Sequence, residues 1–123
     1  MATIELTKET FQDTINNNDI VFIDFWAPWC GPCKSFAPIY ESVSEKNDDV
    51  VFAKVNTEEQ QELAASFQIR SIPTLMILRE QIVIFSQAGM LPESAMDEIV
   101  AKTKQLDMEK VKAEIEAQQA GSA

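Results

Sequence analysis

Two cysteines separated by Gly31 and Pro32 constrain this 123-residue chain more than any other feature. They lie in Trp26-Ala27-Pro28-Trp29-Cys30-Gly31-Pro32-Cys33-Lys34, which also holds both tryptophans and two of the five prolines. A disulfide across so short a gap is weak glue: loop closure contributes roughly 2 kcal/mol, against about 3 for a fifteen-residue loop. A pair that stabilises little and opens readily suits thiol–disulfide exchange. Ile20 to Trp26 is a run of the kind found in buried strands, and Phe36, Ala37, Tyr40 and Val43 recur at helical spacing. The cysteines therefore sit where a strand ends and a helix begins, with Pro32 in the first turn, where its missing N–H is no loss. Cys30 falls at the helix N-terminus, whose unpaired N–H groups and dipole stabilise a thiolate. Cys33 falls inside the first turn and is predicted to be more buried. The asymmetry assigns attack to an exposed Cys30 and resolution to Cys33.

With its neighbours, the motif resembles the thioredoxin family. Trp29-Cys30-Gly31-Pro32-Cys33-Lys34 follows an Asp24-Phe25-Trp26-Ala27 strand, and four further features stand at that family's spacings. These are Asp24 itself, Lys54 in the next strand, Ile72-Pro73-Thr74, and Gly89. The resemblance runs from about Ile4 to Leu106. It implies an α/β thioredoxin fold, a central mixed β-sheet flanked by helices, for residues 1–106. Residues 107–123 then form a helical C-terminal extension with a frayed end.

A chain of this length makes one domain with a proper core. Its net charge of −10 argues against nucleic acid as a partner, since little would neutralise phosphates. No apolar run approaches membrane-spanning length, and the first twenty residues lack a secretory pattern. With an exchangeable cysteine pair, those features predict a cytoplasmic protein in a reducing compartment. The chain contains no histidine and no third cysteine, which disfavours a zinc or iron–sulfur site. No bound metal or cofactor is expected.

Strand and helix patterns alternate. Thr3 to Leu6 reads as a strand, and Thr7 as the cap of a helix carrying Phe11 and Ile15. The strand Ile20 to Trp26 and the cysteine helix, to about Lys46 with Pro38 inside it, come next. Val50 to Asn56 is another buried strand, and Thr57 with Gln60 reads as a capping box. Thr74 to Leu78 and Ile82 to Gln87 pair as a hairpin. Its connection, Arg79-Glu80-Gln81, contains nothing that favours positive φ, so a loop longer than two residues is predicted. Pro92 opens a helix whose Met96, Ile99, Thr103 and Leu106 form one stripe. The order β-α-β-α-β-α-β-β-α gives parallel pairing with right-handed crossovers plus an antiparallel hairpin.

Asp24 shares a strand face with Phe22 and Trp26, so its carboxylate is predicted in apolar surroundings. Burial raises its pKa and suits it to move a proton to or from Cys33. Lys54 either pairs with Asp24 or is an ordinary solvated lysine. The resemblance implies that the Ile72–Pro73 bond is cis and packs on the cysteines. Trp29, Gly31, Pro32, Ile72, Pro73, Ala88 and Gly89 then form a flat rim that receives an extended peptide.

The resemblance implies a reductase of protein disulfides acting by dithiol exchange, with disulfide-containing proteins as substrates. It further implies re-reduction by a thioredoxin reductase drawing on NADPH. Two rivals stay open at this point. A disulfide oxidase or isomerase on this fold usually carries histidine between the cysteines, and a pure binding module would have no need of the pair.

The tail falls outside the resemblance. Met108, Val111 and Ile115 lie nearly opposite the preceding helix's apolar stripe, and Asp107 can cap a new helix. A bend at Leu106-Asp107 is predicted, with Gln118 to Ala123 frayed. Three outcomes remain for this segment: docking on its own domain, including as a lid over Cys30; a weak dimer in place of a monomer; or disorder.

Overall fold

The computed structural model of the chain describes residues 2–121. Five strands form one mixed sheet: β1 (Thr3–Glu5), β2 (Ile20–Trp26), β3 (Val51–Asn56), β4 (Thr74–Arg79) and β5 (Ile82–Ala88). Their spatial order is β1-β3-β2-β4-β5, parallel across the first three and antiparallel across the last two pairings. The helices are α1 (Lys8–Asn16), α2 (Gly31–Glu45), α3 (Gln61–Ser66), α4 (Glu93–Gln105) and α5 (Met108–Gly121).

Alternation along the central strands sends side chains into two cores. Val21, Ile23, Phe25, Ala53 and Val55 pack with Ile15 and Leu63, beneath α1 and α3. Phe22 and Phe52 pack on the other face with Phe36, Tyr40, Val43, Met96 and Val100 of α2 and α4. Asp24 lies on that second face, between Phe22 and Trp26. The Tyr40 hydroxyl donates to the Ala53 carbonyl at 2.8 Å, which satisfies a fully buried phenol.

Several local expectations are corrected. β1 ends at Glu5 and Leu6 turns into the core. Thr57 does not cap α3, because its hydroxyl and its N–H both donate to the Trp26 carbonyl, closing the end of β2. α3 therefore starts at Gln61 with no side-chain cap. The hairpin loop has only two residues, Glu80 and Gln81, at φ 51° and 70°. Both adopt the left-handed conformation that residue preferences argue against. Tertiary bonds compensate: Glu80 N–H donates to the Asp19 carbonyl at 2.8 Å, and Lys112 pairs with the Glu80 carboxylate. Leu106 is exposed, since it already has extended backbone, and Val100 takes its place in the core.

The chain bends at Leu106-Asp107. Asp107 caps α5, its Oδ1 accepting from Lys110 N–H at 3.2 Å. The helix continues through Gln118, Gln119 and Ala120, all good helix formers, to Gly121, so the predicted fraying is not seen over these residues. Ser122 and Ala123 lie outside the described residues. Met108 is buried, and Lys112 reaches the hairpin turn. Because Ile20 pairs with Arg79 while Phe25 pairs with Thr74, that turn is at the far end of β2 from the cysteines. α5 therefore docks on its own domain and is no lid over Cys30. No helix among the described residues is long and apolar enough to cross a membrane.

Candidate active site

Every element of the site converges on the C-terminal end of β2. Cys30 is the N-cap of α2, with extended backbone, and its Sγ accepts from the Cys33 N–H at 3.2 Å. Sulfur thus occupies the place that a Ser or Asp oxygen takes in an ordinary cap. Cys30 and Cys33 are joined as a disulfide, with Cα atoms 5.2 Å apart. Exposure is 5% for Cys30 and 3% for Cys33. Both are buried, so Cys30 is not the exposed group anticipated: Ala27, Trp26 and Ile72 pack with the pair.

The Ile72–Pro73 bond is cis, and Cys30 Sγ lies 3.8 Å from the Ile72 carbonyl oxygen. Gly89 N–H donates to the Pro73 carbonyl at 2.8 Å, which ties the end of β5 to this loop. Gly89 has φ +97°, a conformation that glycine adopts without strain, although a Cβ there would meet nothing within 4 Å. Ala88 pairs with Thr74 beside it. Gly31 and Pro32 are exposed in the first turn of α2, and Trp29 is 66% exposed. The Trp29 indole N–H donates to Glu58, a partner that sequence reasoning missed.

Asp24 is 1% exposed, and neither carboxylate oxygen meets a hydrogen-bond donor among the described residues. Burial pushes its carboxyl up to about 7; Lys54 opposes the rise and Glu5 adds to it. Lys54 stands opposite Asp24 in the β2–β3 register but makes no ion pair with it within 4 Å. Its ammonium instead lies 4.7 Å from the centroid of the Trp26 ring, a cation–π contact. An aromatic face beside the strand competes for the charge, and nothing in the order of residues announced it. Among the described residues, no group of three or more His, Cys, Asp or Glu is placed to hold a metal ion.

The family model for thioredoxin matches residues 2–104. The chain belongs to the thioredoxin family. It is 54% identical to "Putative thioredoxin 2" of Streptomyces coelicolor over 119 residues, 97% of this chain and 89% of that protein. A match of that length extends into α5. Identity to thioredoxin of Bacillus subtilis is 38% over 103 residues, 83% of this chain and 98% of that one. A solved structure of Plasmodium falciparum thioredoxin superposes with a TM-score of 0.75 at 33% identity, covering 81% of this chain and 97% of that one. Family membership and the bonded pair at the head of α2 make this chain a thiol–disulfide oxidoreductase, reducing protein disulfides through Cys30 and Cys33.

Proposed function

We propose a division of labour within that reaction. The Cys30 thiolate attacks one sulfur of a substrate disulfide; a Cys30–substrate bond forms and the other substrate sulfur leaves as thiolate. Cys33 then gives its proton to the Asp24 carboxylate and attacks Cys30 Sγ. The Cys30–Cys33 disulfide closes and the substrate departs with both electrons. The observation that carries this reading is the cap geometry. Cys30 Sγ already accepts the Cys33 N–H at the helix N-terminus, and that arrangement favours negative charge on this sulfur. Asp24, raised toward neutrality, can both accept and return a proton at physiological pH.

Trp29, Gly31, Pro32, Ile72, Pro73, Ala88 and Gly89 are the substrate rim in this reading, where an extended segment pairs with backbone near Ile72. Lys54 acts on the proton step through its field, without direct contact. Re-reduction by an NADPH-dependent thioredoxin reductase, a cytoplasmic setting and a monomeric working form complete the proposal. Insulin-disulfide reduction driven by such a reductase and NADPH is the test. Wild type should turn over, and Cys30→Ser should fall to the uncatalysed background. Turnover by Cys30→Ser would overturn the assignment.

A further inference from the structure

Three charged residues line up across three adjacent strands. Glu5 of β1 is in register with Lys54 of β3, and Lys54 is in register with Asp24 of β2. Directly opposed residues share a face, so Glu5 and Asp24 stand on either side of Lys54, their backbones about 9.5 Å apart across two strand spacings. Lys54 closes an ion pair with neither and rests on the Trp26 ring. Glu5 and Trp26 line one cleft of about 400 Å³ with Asn56 and Glu59, so the row meets solvent at its Glu5 end.

From this alignment we propose that Glu5 is a positioning residue for Asp24. Its charge competes for the Lys54 ammonium with the carboxylate that exchanges a proton with Cys33. The proposal rests on the proton role given to Asp24 above.

The surrounding groups leave this balance to the three residues. From α2, Tyr40 is tied to the Ala53 carbonyl and Glu41 accepts from the Thr3 hydroxyl and Ala2 N–H. Glu59, after β3, adds negative charge near Glu5. Among the described residues, Lys54 is the sole cation acting on either carboxyl. Burial raises the Glu5 carboxyl, Lys54 lowers it and Glu59 raises it again. A negative Glu5 both repels charge on Asp24 directly and dilutes the one cation that favours it. Glu5→Gln removes both effects while keeping the side-chain shape at an exposed strand edge.

The test is a carboxyl-carbon NMR titration of Asp24 alongside the pH profile of the resolving step. In Glu5→Gln the Asp24 midpoint should fall by about 0.3 to 0.6 pH unit, from the Coulomb energy at that separation. The rising limb of the resolving rate should move down by the same interval, and Glu5→Asp should restore both. In a Lys54→Met background the Glu5→Gln shift should shrink; a full-sized shift there overturns the route through Lys54. An unmoved Asp24 midpoint in Glu5→Gln overturns the proposal itself. A shifted midpoint with an unmoved rate profile upholds the Glu5 coupling and overturns the proton role of Asp24.

Discussion

The two ends of β2 carry different kinds of cost. At the cysteine end, Asp24 is buried with neither oxygen hydrogen-bonded, and the buried Trp26 indole N–H also lacks a partner, among the described residues. At the Ile20 end, about 20 Å away along the strand, backbone strain is held in place by bonds. Glu80 and Gln81 sit at positive φ, Glu80 binds Asp19 and Lys112, and Arg79 Nη1 donates to the carbonyls of Thr103 and Leu106 at 2.7 and 2.8 Å. Those bonds bring a side-chain donor to carbonyls at the C-terminal end of α4. At the cysteine end, then, a carboxyl is left without a donor among the described residues. At the far end positive-φ strain is held by bonds, although Arg79 Nε there also lacks a hydrogen bond and lies 3.7 Å from Asp19 Oδ1.

The largest effect should come from breaking the first half of that contrast. A carboxyl raised from 3.8 to about 7 links folding to pH. The folded pKa exceeds the unfolded one, so the contribution of Asp24 to stability is fullest below pH 4. It falls as pH rises and has lost the whole increment, roughly 4 kcal/mol, once pH passes 7. Asp24→Asn should remove this dependence and be more stable than wild type at pH 8 by up to that amount, while slowing the resolving step. Urea unfolding at pH 4 and pH 8 measures it; equal pH slopes in mutant and wild type would refute the buried-charge account.

Removing α5 should cost less. Truncation after Leu106 exposes the surface under Met108 and deletes the Lys112–Glu80 pair, a loss of about 2 kcal/mol, nearly all from the apolar burial. Insulin reduction by the truncated protein should keep its wild-type rate, since α5 lies at the far pole. A faster rate would restore the lid.

The smallest effect concerns the turn. Gln81→Gly should stabilise the protein by about 0.5 to 1 kcal/mol, because glycine adopts positive φ without strain. Thermal unfolding resolves a change of that size. A lower midpoint would mean that Gln81 makes compensating contacts of its own.

What the sequence revealed follows the same divide. The strand–helix junction was legible because an apolar run, a cysteine pair and Pro32 each demand the same local structure. The cap at Asp107 and the bend before α5 were legible for the same reason. The hairpin was misjudged because its two-residue turn is dictated by Asp19 and Lys112, far away in the chain, against local preference. Lys54 was ambiguous because its choice between Asp24 and the Trp26 ring depends on side-chain packing. Glu5 escaped notice altogether: a lone acid in a short strand acquires meaning only once β1 is laid beside β3.

The assignment of attack to Cys30 and resolution to Cys33 is most directly tested by trapping. Each single Cys→Ser variant is mixed with a disulfide substrate and the products are read by mass spectrometry under non-reducing conditions. The account predicts that Cys33→Ser accumulates a stable mixed disulfide through Cys30, whereas Cys30→Ser accumulates none. A mixed disulfide on Cys33 in the Cys30→Ser protein, formed as fast as the other, would contradict it.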